Sequence, residues 1–236
     1  MIGDFSLVRG AIEGRDVIVL GNGPTVRMWS GTVPDGGAIA TVNAGLTLLA
    51  ELGGRADLVW VQDERFLPRR ARTLLPHLSR AGQLVLNERL LPQLPPAAAR
   101  AAVGLRMLGN EGFSRDPQMG VFHGYNAVFG LLQVLAGAGA GARRIDLFGV
   151  PLLYWSTDTR FDQAKRGADV DLHRASDQVA LLTWAIGLVR ESGIAVTVHG
   201  GSALTRATLR DGGEGPTAPD ASRRASAYRA DATVSA

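Results

Sequence analysis

The side chains best suited to chemistry stand at the ends of short apolar runs. Asp16-Val17-Ile18-Val19-Leu20 runs into Gly21-Asn22-Gly23-Pro24-Thr25, Ala38–Val42 into Asn43, Leu58–Val61 into Gln62-Asp63, and Gln83–Leu86 into Asn87. Runs of this length, rich in β-branched residues and stopped by glycine or a polar side chain, read as buried parallel strands. If their carboxyl ends share one rim, these residues line the crevice where open α/β sheets bind ligands. Glycine at 21 and 23 would let a ligand approach the backbone N–H groups, and phosphates favour such donors where a loop turns into a helix. The chemistry so implied is a nucleotide cradle. Each asparagine alone also suits a turn or a helix cap, and the glycine turn alone also suits a bare strand-to-helix connection. Their recurrence at consecutive strand ends favours the ligand.

Known phosphate-binding signatures do not fit the turn. Val26 occupies the place of the third glycine of a dinucleotide fingerprint, and Thr25-Val26-Arg27 replaces the lysine and hydroxyl of a P-loop. The lack of a G-x-S-x-G elbow, with Ser202 following the final predicted strand, argues against hydrolysis by an activated serine. His77 and His199 read as a surface histidine and a strand-end residue, Trp60 and Trp155 as packing, and Arg69, Arg70 and Arg72 as a solvated helix face.

The elements that must position the rim follow from the hydrophobic period. A short lead-in helix is predicted within 1–15, strands at about 16–21, 38–42, 58–61, 83–86, 144–148 and 194–198, and helices at about 44–53, 65–80, 124–137 and 174–191. Residues 88–120, interrupted by Pro92, Pro95, Pro96 and Pro117, predict a substrate-facing insertion, and 155–171 a polar loop. Alternation of strand and helix predicts a doubly wound, mostly parallel α/β sheet. With 236 residues, 46% of them hydrophobic, the chain is expected to form one domain over 1–208. Residues 209–236, poor in large apolar side chains, predict a disordered tail.

Composition narrows the setting. No cysteine is present, which excludes disulfides and thiolate metal sites. The charged segment Met1–Arg15 does not read as a secretory signal, and no apolar run reaches the roughly 18 residues of a membrane span. A soluble, cytoplasmic protein is therefore expected. The net charge of +3 at a pI of about 9.9 comes from arginines scattered among acidic residues, Lys165 being the single lysine, so no nucleic-acid-binding stripe is formed.

Over residues 16 to 205 the order of motifs resembles a known group. Gly21-Asn22-Gly23-Pro24-Thr25, Val42-Asn43, His123-Gly124 before an apolar helix, Arg144-Ile145-Asp146-Leu147-Phe148-Gly149-Val150, Tyr154, Phe161-Asp162, Asp171-Leu172-His173 and Gly201-Ser202-Ala203-Leu204 follow one another as in the bacterial sialyltransferases of glycosyltransferase family 42. The same order is similar to that of proteins related to 6-hydroxymethylpterin diphosphokinase. The resemblance implies a Rossmann-like sheet of the glycosyltransferase A variant that takes a sugar from a CMP-activated donor to a glycan acceptor hydroxyl, with inversion and without a metal or other cofactor. It implies that Gly21, Asn22, Gly23 and Asn43 hold the nucleotide and phosphate, and that His123-Gly124 stands where the family has Ser-Gly at the donor; Pro24 and Thr25 in the same turn and Gln62 and Asp63 at the third strand end are expected beside the nucleotide from their position, Asp63 being absent from the sialyltransferase pattern. It implies further that His173 is the general base and that Tyr154 stabilises the departing phosphate. The family's second tyrosine has no counterpart before Tyr228, and Arg160 or Arg166 would supply its charge. Pro151 and Gly120 replace an acidic residue and an arginine of the family pattern. The diphosphokinase relatives imply the alternative: an ATP-dependent enzyme with magnesium on Asp63. A non-catalytic nucleotide-binding module is the third reading.

Overall fold

A strand covered on both faces and paired on both edges needs apolar side chains in both alternating sets, and the runs singled out above supply them. The computed structural model describes residues 3–137, 141–150 and 175–200. Its strands are β1 (Asp16–Leu20), β2 (Ala38–Val42), β3 (Ala56–Val61), β4 (Ala81–Asn87), β5 (Val103–Leu105), β6 (Met107–Gly109), β7 (Val121–Phe122), β8 (Arg144–Phe148) and β9 (Ala195–Val198). Seven of them form one parallel sheet in the order β5-β4-β3-β2-β1-β8-β9, while β6 and β7 pair separately. The helices are α1 (Ser6–Ile12), α2 (Gly45–Glu51), α3 (Phe66–Leu74), α4 (Pro96–Ala101), α5 (Ala127–Ala136) and α6 (Ala175–Glu191).

Alternate residues of the strands feed two apolar layers. Val17, Val19, Ala40, Leu58, Trp60, Val85, Ile145 and Leu147 face one side, where α1, α5 and α6 supply Val8, Ile12, Leu131, Leu132, Leu182 and Ile186. Ile18, Leu20, Ile39, Val59, Val61, Leu84 and Leu86 face the other, against Leu46 and Leu49 of α2 and Leu67 and Leu74 of α3. The fold is thus the doubly wound α/β arrangement, Rossmann-like in its sheet. Among the described residues no helix is long and apolar enough to cross a membrane.

Three local expectations change. The helix predicted over 65–80 stops at Leu74 and tightens into a 3-10 turn over Leu75–Arg80, because Pro76 has no N–H to continue the α-helical ladder. The helix predicted from 124 begins at Ala127, since Gly124 and Tyr125 both adopt left-handed backbone and Asn126 caps the helix through a bond from Val128 N to its Oδ1 (2.8 Å). The stretch 88–120 is only partly an insertion: after a 3-10 turn over Glu88–Gln93, α4 leads into β5, which completes the sheet beside β4. The predicted polar loop 155–171 and the tail 209–236 lie outside the described residues.

Candidate functional site

The chain builds the sheet outward from β1 in one direction, β2 to β5, then crosses to β8 on the other side, so the topological switch point lies between β1 and β8. In such sheets ligands bind beyond the carboxyl ends of the strands at that point. Leu20 is in register with Thr41 on one side and Phe148 on the other. The turns after β1, β2 and β8 are therefore level. Asn22 and Asn43 each follow by two residues.

The glycine turn differs from a phosphate cradle in one respect. Gly21 N–H donates to the Phe148 carbonyl (2.8 Å) and Gly23 N–H to the Gly149 carbonyl (2.7 Å), so both amides that were expected to meet a phosphate hold the β1 turn to the β8 turn. A Cβ at Gly21 would stand 2.5 Å from Gly149 O, and Gly149 itself has φ +71. These glycines serve backbone contact. Beyond Gly23, Pro24 opens a 3-10 turn of five residues, Pro24–Met28, where a longer helix was needed to present a row of N–H groups.

What the rim does present is acceptor oxygen. Asn22 Oδ1, Thr25 Oγ1 and Asn43 Oδ1 are buried and take no hydrogen bond from the described residues. A buried polar atom without a partner is unfavourable by about 1–3 kcal/mol, and native chains rarely leave one so unless something else fills it. Asn43 is held in place by donating its backbone N–H to Trp60 O (3.0 Å) with φ 49, a left-handed conformation that asparagine tolerates better than most residues. The two carboxamide oxygens accept, and the Thr25 hydroxyl can accept or donate, so a molecule bearing hydroxyl or amine groups would satisfy them.

On the β3 side the expected residues divide into supports and exposed groups. Gln62 is buried; its Nε2 donates to the His123 carbonyl (2.8 Å) and its Oε1 accepts from Trp60 Nε1 (3.3 Å), so it positions the His123 loop. Asn87 likewise turns inward, donating to Gln62 O (3.4 Å) and Glu64 Oε1 (3.3 Å) and accepting from Arg89 N (3.1 Å). Gly124, at φ +56, packs where a Cβ would lie 2.1 Å from Phe129 Cγ, which explains the glycine without a donor contact. Gly124→Ala is expected to lower stability by about 2–5 kcal/mol, the left-handed conformation and the overpacking each contributing. Urea unfolding measures it, and a change below 1 kcal/mol would mean that the loop relaxes around the new methyl group.

Asp63 faces Arg65, accepting from its N–H (2.9 Å), its Nε (3.1 Å) and its Nη2 (3.4 Å). Burial raises the carboxyl pKa, but the Arg65 hydrogen bonds and charge, with that of His123, outweigh it and leave the value lowered. A depressed folded value means that this contribution to stability is present at neutral pH and is lost as pH falls through the lowered value. For magnesium the fit is poor. Both Asp63 oxygens already hold a guanidinium, and no group of three metal-ligating side chains gathers among the described residues.

The sequence reading passed over one constellation. Asp146, buried in β8, accepts from Arg144 Nη2 (3.0 Å), lies 2.9 Å from Arg144 Nε, and has its Oδ1 2.8 Å from Nε2 of His199, the residue after β9. The His199 ring stacks on Phe148, centroids 4.1 Å apart. A charged residue inside the run Arg144–Phe148 was the available signal, because a buried carboxylate requires partners. His173, Tyr154, Arg160 and Arg166 lie outside the described residues. The structure therefore places Asn22 and Thr25 after β1 and Asn43 after the neighbouring β2, and Gln62 and Asp63 after β3, with the His123 carbonyl against Gln62. Compared with known proteins, the chain is matched by no family model and no curated protein is similar to it in sequence.

Proposed function

We propose that the chain is a nucleotide-sugar-dependent glycosyltransferase of the sialyltransferase-like kind, moving a sugar from a CMP-activated donor to a glycan hydroxyl with inversion. One observation carries the reading: three buried oxygens with no partner among the described residues, on Asn22, Thr25 and Asn43, stand beyond the carboxyl ends of β1 and β2, beside the switch point where folds of this kind bind ligands. Oxygen acceptors match the donors of a nucleoside, its ribose hydroxyls and the cytosine amine. The acceptor hydroxyl attacks the anomeric carbon, the bond to the nucleotide phosphate breaks with its electron pair leaving on oxygen, and His173 takes the hydroxyl proton. Tyr154 and Arg160 are assigned to the leaving phosphate through the resemblance of the chain to family 42.

A ligand screen tests this. Melting is followed with CMP, CDP, UDP, GDP and ATP, with and without magnesium; a rise with CMP that needs no metal is expected. A rise confined to ATP with magnesium would replace this reading with the diphosphokinase one.

The same oxygens make a second prediction. Asn22→Ala, Asn43→Gly and Thr25→Val are each expected to weaken CMP binding about tenfold or more, since each removes an acceptor from a desolvated ligand donor. Stability should stay level or rise, because an orphaned buried oxygen is removed; glycine is chosen at 43 to keep the positive φ. Variants that melt several degrees lower yet bind CMP like the parent would show that these oxygens serve the fold.

A further inference from the structure

The N–H groups of Gly21 and Gly23 are both engaged, so the glycine turn offers a phosphate no backbone donor there, and the side chains of Asn22, Thr25 and Asn43 carry no positive charge. A nucleotide seated there needs a donor for its phosphate at the crevice border. On the side of β8 and β9, one side chain has that chemistry and a fixed orientation. His199 N–H donates to Leu147 O (2.9 Å), which continues the β9 ladder and sets the ring over Phe148, the rings 2° from parallel. Since an ionised carboxylate only accepts, the 2.8 Å contact with Asp146 Oδ1 places a hydrogen on Nε2. Nδ1 is then the ring's remaining polar atom, and the side chain is one-third exposed. The next residue reaches the glycine turn: a Cβ on Gly200 would stand 3.1 Å from Thr25 Cγ2. Phe148, beneath the ring, precedes Gly149, whose carbonyl holds Gly23.

We propose that His199 is the phosphate-binding residue of this site, its imidazole oriented through Nε2 by Asp146 and donating from protonated Nδ1 to a phosphate oxygen of the bound nucleotide. The proposal rests on the reading that a nucleotide occupies the switch point. Charge supports the assignment. Among the described residues, Arg144 is tied to the Asp146 carboxylate, Arg190 of α6 donates to Val196 O in β9 (2.7 Å), and Arg27 is exposed on the 3-10 turn. An imidazole carrying a hydrogen on each ring nitrogen offers a phosphate both a directed N–H and a positive charge.

The test compares nucleoside monophosphates with their nucleosides, CMP with cytidine, UMP with uridine and AMP with adenosine, by calorimetry. For at least one pair the parent should bind the monophosphate about ten- to a hundred-fold more tightly than its nucleoside. His199→Gln and His199→Phe, the second of which keeps the stack on Phe148, should bring the ratio to within about threefold while nucleoside affinity is retained. Arg27→Ala should leave the ratio at the parent value. A folded His199 variant that keeps the parent's ratio overturns the assignment, and so does a ratio lost in Arg27→Ala. Should both His199 variants fail to fold, the His199 ring resonances of the parent decide: a monophosphate must shift them and its nucleoside must not. Equal binding of nucleoside and monophosphate by the parent overturns this proposal alone, whereas binding of neither overturns the nucleotide reading as well.

Discussion

Gln133→Leu, a change that makes the interior more apolar, is expected to destabilise the protein by about 3–6 kcal/mol. Gln133 is fully buried within α5, and each of its polar positions is used. Its Oε1 accepts from Ser114 N (2.9 Å) and Phe122 N (2.9 Å), and its Nε2 donates to Phe122 O (2.9 Å) and Phe129 O (3.1 Å). Phe129 O already lies in the helical ladder, so leucine orphans three backbone groups. Each is unfavourable by about 1–3 kcal/mol, and the better transfer of leucine offsets only about 2 kcal/mol of the sum. The loss should be local first: the strand β7 and the chain near Ser114 are what the glutamine ties to α5, so hydrogen exchange at Ser114 and Phe122 should accelerate before the sheet is affected. Urea unfolding within 1 kcal/mol of the parent would show that water or a shifted loop satisfies these groups.

The second large effect is kinetic. With His173 as the general base, His173→Ala should lower turnover about 10²–10⁴-fold, the range that positioned proton transfer contributes. Donor binding should stay near the parent value, because the base acts on the acceptor hydroxyl, and the ascending limb of the pH–rate profile should vanish. The position has physical sense as well as resemblance. It follows the polar stretch 155–171 and stands two residues before α6, whose Leu181, Leu182, Ala185, Ile186 and Val189 are buried against the sheet. Turnover within a few-fold of the parent, with the limb kept, would remove His173 from the mechanism. The limb also separates the two histidines: the phosphate role of His199 is read in binding ratios, that of His173 in turnover.

The sequence by itself determined the sheet, because strand formation in a doubly wound fold depends on short apolar runs that are visible one at a time. The runs at β1, β2, β3, β4, β8 and β9 were all legible, and their polar ends marked the rim. β5 was missed: Val103-Gly104-Leu105 is three residues long, too short for a period to register, and it is a strand because β4 offers it an open edge. The purposes of the rim residues were decided by tertiary contacts. Gly21 and Asn22 are neighbours of equal promise in the sequence, yet the arrival of β8 takes the amide of Gly21 while the side-chain oxygen of Asn22 has no partner among the described residues. Gln62 is as good a ligand as Asn43 on paper, but the His123 loop, brought from 61 residues away, takes its amide. Asp146 and His199 lie 53 residues apart and meet only because β9 pairs with β8. Local propensity and hydrophobic period are properties of neighbouring residues and can be read in order; which hydrogen-bonding groups remain for a ligand depends on partners distant in the chain, and that is set only when the sheet closes.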